Sequence, residues 1–285
     1  MARRFLSVVV GVLIAAAVFA FLQAVSSDLR WVFALGLGLT LAAGVWNGRR
    51  RGGDLLDALS LSVPLAAAFA VFVVPELPAL WPHCVLWVTA AVAGHVWQRA
   101  SARRFAVTGG LLAVVLVGVG YGAFYLPRAI AHALTKDRNE PAPEFTLQTL
   151  AGAEIPRLDW QGKVVVLDFF ATYCGPCIAE LPKLAEVNAR LAGRSDVIVL
   201  VVGSESGGET LDSLRSFAER SGRGLAFAWD PRHKARDACG VRGTPSLAVL
   251  DLSGRLRRVH EGYNAAETGF SAELLRFIDR LSSAR

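Results

Sequence analysis

Five long apolar blocks fill the first 126 residues, and they limit what this chain can fold into more than any other feature. A membrane-spanning helix needs about 20 mostly apolar residues. Phe5 to Val25 and Phe105 to Leu126 each meet that requirement alone, and Leu29 to Trp46, Leu55 to Val74 and Leu80 to Trp97 lie between them. Asp57 and Pro64 fall inside the third block, which a helix packed among other helices tolerates. Trp31, Trp46, Trp81, Trp97, Tyr121 and Tyr125 cluster at block ends, where amphipathic rings sit at the headgroups. The pattern predicts an all-α transmembrane region of about five helices over 1–126, a linker over 127–143 and a folded domain over 144–285.

The loop charges predict an orientation. Arg3 and Arg4 precede the first block, Arg49, Arg50 and Arg51 lie between the second and third, and Arg99, Arg103 and Arg104 between the fourth and fifth. The alternate loops carry only Arg30, or no Lys or Arg at all. With five spans every basic cluster falls on one side, which the positive-inside rule makes cytoplasmic. The N-terminus is then cytoplasmic and the C-terminal domain periplasmic, on a bacterial cytoplasmic (inner) membrane. A cleaved first block would leave four spans and the same placement. The net charge of +6 is largely arginine between apolar blocks, and no basic stripe with interleaved aromatics occurs, so no nucleic-acid partner is expected. His83 and His95 have no partner His or carboxylate at helical spacing and read as structural polar contacts. Cys84 is the single cysteine in the spans, so this region is not expected to pass electrons by thiols unaided.

Beyond Leu126 the pattern changes. The stretch PRAIAHALTKDRNEPAP, with charges and terminal prolines, reads as a tether. A short hairpin follows, Phe145 to Leu147 and Glu154 to Pro156, turning at Ala151-Gly152. Lys163 to Phe170 (KVVVLDFF) reads as a buried central strand and Pro176 to Leu191 as a helix. Strands at 197–202, 225–229, 246–251 and 255–262 and helices at 210–221, 232–238 and 272–281 complete the set. Alternation of this kind, closed by a hairpin, gives a mixed central sheet flanked by helices.

Cysteines occur at 84, 174, 177 and 239, too few and too irregular for a disulfide scaffold. A zinc site would need a second CxxC or an HxxxH pair. Haem attachment would need His after the second cysteine, where Ile178 stands. No metal or other cofactor is therefore expected. The Cys174-Gly175-Pro176-Cys177 motif falls where a buried strand ends and a helix begins, so the orphan N–H groups and dipole of the helix favour a thiolate at Cys174. Cys177 lies one turn in, close enough to close a disulfide, and Pro176 fits where no N–H is needed. An inert staple gains nothing from so activating a position, which favours redox chemistry.

From Ala142-Pro143-Glu144-Phe145, through Gly162-Lys163, Phe170-Ala171-Thr172-Tyr173-Cys174-Gly175-Pro176-Cys177 and Glu180-Leu181-Pro182, to Gly240-Val241-Arg242-Gly243-Thr244-Pro245, the order and spacing are specific. Over about 142–281 the chain resembles the TlpA/ResA-like membrane-tethered thiol-disulfide oxidoreductases of the thioredoxin superfamily. The resemblance implies a thioredoxin-like fold with an extra N-terminal hairpin and a redox-active Cys174–Cys177 disulfide. It implies a cis Pro245 facing the dithiol, with Thr244 offering backbone groups to a substrate strand; the sequence alone reads Gly243-Thr244-Pro245 as an ordinary turn. Tyr173, Gly175 and Pro176 would complete the substrate-facing surface. Glu180 would tune the thiols, against a plain reading as a solvated first-turn residue. Asp168 matches the buried carboxylate of thioredoxin, where the nearer family more often has Asn, and would accept a proton from Cys177. Phe170 replaces a usual Trp, and Cys239 stands where Tyr is common; it reads as a small buried apolar residue. The Gly-Pro pair is that of reducing thioredoxins. The implied substrates are protein disulfides, for example those of apocytochrome c or copper-site assembly proteins, with a membrane electron donor of the DsbD or CcdA kind. An oxidase or isomerase, a peroxidase, or an assembly platform with a metallochaperone or docking module are the alternatives.

Overall fold

The computed structural model describes residues 2–24, 28–50, 53–100, 104–205 and 207–283. Val25, Arg51 and Arg103 from the blocks and basic loops lie outside that set. The chain divides into two compact units, 1–133 with 264–266, and 134–263 with 267–285.

The first unit is helical. It consists of α1 (Ala2–Ala24), α2 (Leu29–Arg49), α3 (Leu55–Phe72), α4 (Pro82–Arg99) and α5 (Arg104–Gly120), the last continuing through a π-turn at Tyr121–Tyr125 into α6 (Leu126–Leu134). Five helical stretches among the described residues are long and apolar enough to cross a membrane. Phe5, Leu13, Val71, Phe72 and Leu116 point outward, as side chains facing lipid do. Helices α2 and α4 touch backbone to backbone: a Cβ on Gly44 would lie 2.0 Å from the Ala91 carbonyl oxygen. Such contact through small residues is how helices associate where lipid is as apolar as leucine. His95 and His83 make the structural contacts expected of them, to Asn47 Nδ2 at 3.0 Å and Tyr121 Oη at 2.7 Å.

The second unit is built on one eight-stranded mixed sheet in the order β1-β8-β7-β4-β5-β6-β2-β3. The strands are β1 (Thr135–Pro141), β2 (Thr146–Thr149), β3 (Glu154–Pro156), β4 (Val164–Phe170), β5 (Val197–Ser204), β6 (Ala226–Asp230), β7 (Ser246–Leu250) and β8 (Arg255–Glu261). Every residue of β4 is buried, as its unbroken apolar run requires of a strand covered on both faces. It pairs parallel with β5 and antiparallel with β7. Helices α7 (Gly175–Arg190), α8 (Leu211–Ser221), α9 (Lys234–Ala238) and α10 (Phe270–Ser283) complete the unit. The face of β4 carrying Val166 and Phe170 shares one core with Leu181 and Leu184 of α7 and Leu274 and Ile278 of α10.

The linker expected over 127–143 is not a tether. Its first part is helix α6, and Thr135–Pro141 is the edge strand β1, paired antiparallel with β8 from Thr135 opposite His260 to Pro141 opposite Arg255. The folded domain therefore begins at Leu134 rather than at 144. The charges that made this stretch resemble a solvated tether are cross-strand partners: Arg258 holds Asp137 at 2.6 Å, Lys136 pairs with Glu261, and Arg255 donates to Asn139. An edge strand covered on little of its surface has no need of apolar alternation, so periodicity does not reveal it.

Candidate active site

Strand β4 leaves the sheet at Phe170, and four residues later the chain enters α7 with Cys174 as its N-cap. The Sγ of Cys174 accepts from the Cys177 N–H at 3.2 Å, so the first cysteine faces the open donors of the helix. Cys174 and Cys177 are joined as a disulfide, with Cα atoms 5.2 Å apart. Their exposures differ: Cys174 is half-buried and Cys177 is 1% exposed. Gly175 and Pro176 are exposed in the first turn, and Tyr173 and Ile178 present apolar surface on either side. One sulfur can therefore meet a macromolecular disulfide while the other is reached from within.

The Thr244–Pro245 bond is cis. Ser246 pairs with Phe169 across the antiparallel β7–β4 ladder, so Thr244 and Pro245 lie at the end of the sheet from which the dithiol loop departs. Pro245 is buried and Thr244 half-buried, and the Pro245 carbonyl accepts from Gly262 N–H at 2.8 Å. The ordinary turn read from Gly243-Thr244-Pro245 alone is thus corrected: the bond is cis, as the resemblance implies.

Two buried carboxylates lie on the elements that flank the dithiol. Asp168 in β4 and Glu180 in α7 are each 1% exposed, and Asp168 Oδ1 and Glu180 Oε2 accept no hydrogen bond from the described residues. Burial pushes the Asp168 carboxyl up to about 7. Burial, and then the neighbouring charges of Asp168 and Glu267, hold the Glu180 carboxyl well above the usual range. Glu180 is therefore not the solvated first-turn residue of the plain reading. Two interior carboxyls held toward their protonated forms are suited to exchange a proton with a buried thiol. Cys239 is fully buried, and burial followed by the charge of Asp230 raises its thiol to about 12, so it stays protonated and inert.

Sequence reasoning missed Glu209. This residue, 4% exposed, accepts from the backbone N–H of Thr172 and from its hydroxyl at 3.1 Å, and it also accepts from Ser213 Oγ. It ties the segment before Cys174 to the start of α8. Nearby Gly207, at φ +55°, leaves room for the Tyr173 ring, since a Cβ there would lie 2.4 Å from its hydroxyl. Neither carries a local sequence signal, because the contact joins positions 37 residues apart. Glu209→Ala leaves the part-buried Thr172 N–H without its acceptor and is expected to lower unfolding stability by about 1–3 kcal/mol, read from denaturant midpoints of the oxidised protein.

Residues 137–274 match the family model described as Redoxin. The chain is 29% identical over 163 residues to the thiol-disulfide oxidoreductase ResA of Halalkalibacterium halodurans, covering 56% of this chain and 88% of that protein. It is 28% identical over 153 residues to the thioredoxin-like protein YneN of Bacillus subtilis, covering 54% and 88%. Among solved structures it aligns with the exposed lipoprotein thioredoxin Etrx1 of Streptococcus pneumoniae, at 28% identity and a TM-score of 0.42, over 49% of this chain and 100% of that one. Fold, dithiol and sequence likeness together support a thiol-disulfide oxidoreductase with a thioredoxin-like fold. Its sequence is similar to the ResA proteins of the thioredoxin superfamily.

Proposed function

We propose that the protein is a membrane-anchored, extracytoplasmic protein-disulfide reductase, with Cys174 as the attacking thiol and Cys177 as the resolving one. The observation that carries this reading is the unequal dithiol at the α7 N-terminus. Reduced Cys174 is stabilised as thiolate by the helix and is the more exposed sulfur, whereas Cys177 is shielded, with two buried carboxyls on the flanking elements. The Cys174 thiolate attacks a substrate disulfide, forming a mixed disulfide and releasing one substrate sulfur as thiolate, which takes a proton from water. Cys177 then loses its proton to Asp168 and attacks the Cys174 sulfur. The enzyme disulfide closes and the second substrate thiolate departs, so two electrons have moved from dithiol to substrate.

Glu180 acts in this scheme by setting the charge state of Asp168. Tyr173, Gly175 and Pro176 receive the substrate chain, and Thr244 beside the cis Pro245 supplies backbone groups to it. The arginine clusters of alternate loops support a cytoplasmic N-terminus and an extracytoplasmic domain. There the oxidised form accumulates unless electrons are delivered, which calls for a membrane donor of the DsbD or CcdA kind. Apocytochrome c and copper-site assembly proteins are the substrates that the family resemblance implies.

Direction is tested by redox equilibrium of the full-length protein in detergent against glutathione. A reductase should poise near thioredoxin, at about −270 mV; a value near the about −120 mV of a strong thiol oxidant overturns the reductive assignment.

A further inference from the structure

A row of residues crosses the second unit on the sheet face that packs against α7 and α10. Thr135 of β1 is opposite His260 of β8, His260 is opposite Leu247 of β7, and Leu247 is opposite Asp168 of β4. Directly paired residues share a face, so the half-buried edge of the sheet connects by one line to the Asp168 carboxyl. Glu180 of α7 and Glu267 of the loop before α10 are buried as well, 1% and 4% exposed. Ser271 in the first turn of α10 donates to the Lys183 carbonyl and to Glu186, which seats that turn on α7 just beyond Glu180. Glu267 Oε2 lies 3.4 Å from His260 Nε2, within ion-pair distance although that nitrogen makes no hydrogen bond to the described residues, and His260 Nδ1 lies 2.9 Å from Thr135 Oγ1. Glu267 Oε1, like Glu180 Oε2 and Asp168 Oδ1, accepts no hydrogen bond from the described residues. A cavity of about 20 Å3 opens among Thr135, His260, Glu267 and Glu273, room for a single water.

We propose that Glu267 and His260 are the outer leg of a proton path that carries the proton lost by Cys177, by way of Asp168 and Glu180, out to Thr135 at the sheet edge. The proposal rests on the reductase reading for the identity of the proton donor. Each transfer conserves charge and atoms. Glu267 takes a proton from Glu180 and passes it to His260 Nε2, and the imidazole releases the one on Nδ1 to the Thr135 hydroxyl, which yields its own to water. Oxidation at Cys177 would otherwise leave a proton trapped under a covered helix. The charge of Glu267 is felt at Glu180, which supports their proximity. The other ionisable groups around the imidazole are Arg258 on β8, engaged by Asp137, and Glu273 on α10. Glu267 and His260 act through Asp168 and Glu180 and are positioning residues.

The test is the pH dependence of single-turnover disulfide reduction by the full-length protein in detergent, for parent, Glu267→Gln and His260→Asn. Glu267→Gln removes a negative charge beside Glu180 and puts in an amide that relays no proton, so the rising limb of the profile should move to lower pH and its plateau should fall. His260→Asn leaves Glu267 without its imidazole, so the limb should move to higher pH, again with a lower plateau. Each displacement should be half a pH unit or more, about a three-fold rate change at fixed pH on the limb. Opposite displacements are what a purely structural role does not produce. Superimposable profiles, or displacement of both variants in one direction, overturn the proposal. Thr135→Val, at the half-exposed edge, tests the outlet with little demand on folding: a lower plateau at an unchanged midpoint is expected, and an unchanged plateau refutes the outlet. A parent protein that reduces no disulfide at any pH refutes the reductase reading instead.

Discussion

Cys174→Ser is expected to abolish disulfide reduction, lowering turnover at least about 1,000-fold, because a hydroxyl at the helix N-terminus supplies no thiolate. Cys177→Ser should lose turnover as completely and yet behave differently. Its Cys174 still attacks, so one equivalent of substrate thiol is released and the protein stays covalently joined to the other half. The difference follows from burial, since the half-buried sulfur meets substrate and the 1% exposed one can act only on its neighbour. Rapid quench with a model protein disulfide, followed by intact mass, distinguishes the two variants. Equal release of substrate thiol by both would remove the assigned order of attack.

Asp168→Asn should make the oxidised protein more stable above neutrality while slowing catalysis. The folded-state carboxyl is raised by burial from 3.8 to about 7, so its favourable contribution is fully present below 3.8. It is lost as pH rises through about 7, because the unfolded chain ionises first. The step corresponds to on the order of 4 kcal/mol between pH 4 and pH 8. Denaturant midpoints of the parent should fall across that window, and those of Asp168→Asn should lack this component. The amide cannot take up the proton of Cys177, so resolution of the mixed disulfide should slow about 100-fold. Such a pairing of stabilisation with lost activity marks a carboxyl retained for chemistry and not for packing. Parallel stability profiles for parent and variant would show that Asp168 ionises as an ordinary surface carboxylate does.

The parts of this molecule that were legible in the sequence are those in which burial or chemistry repeats locally. KVVVLDFF can be covered on both faces only as a central strand, and the dithiol after it marks the start of α7. The five apolar blocks became five candidate spans for the same reason. Strand β1 was not legible, because its stability comes from Asp137, Lys136 and Asn139 meeting partners more than a hundred residues away on β8. Residues around the site divide along the same line. Cys174 and Cys177 declare themselves by spacing, whereas Pro245 reads as an ordinary turn until the family resemblance is brought in. Glu209, Glu267 and His260 are single polar residues in loops or an edge-adjacent strand, and only the folded sheet brings them to the site. Glu180 shows how a helical position can mislead: it falls in the first turns of a helix, where carboxylates are often solvated, yet it is 1% exposed.

The most direct measurement is capture by full-length Cys177→Ser in its native membrane, with mixed disulfides isolated and their cysteines identified by mass spectrometry. The reductase account predicts adducts through Cys174 to extracytoplasmic proteins, released by a membrane-impermeant reductant added from that side, and no such adducts with Cys174→Ser. Adducts confined to cytoplasmic proteins, or identical capture by the two variants, would contradict it.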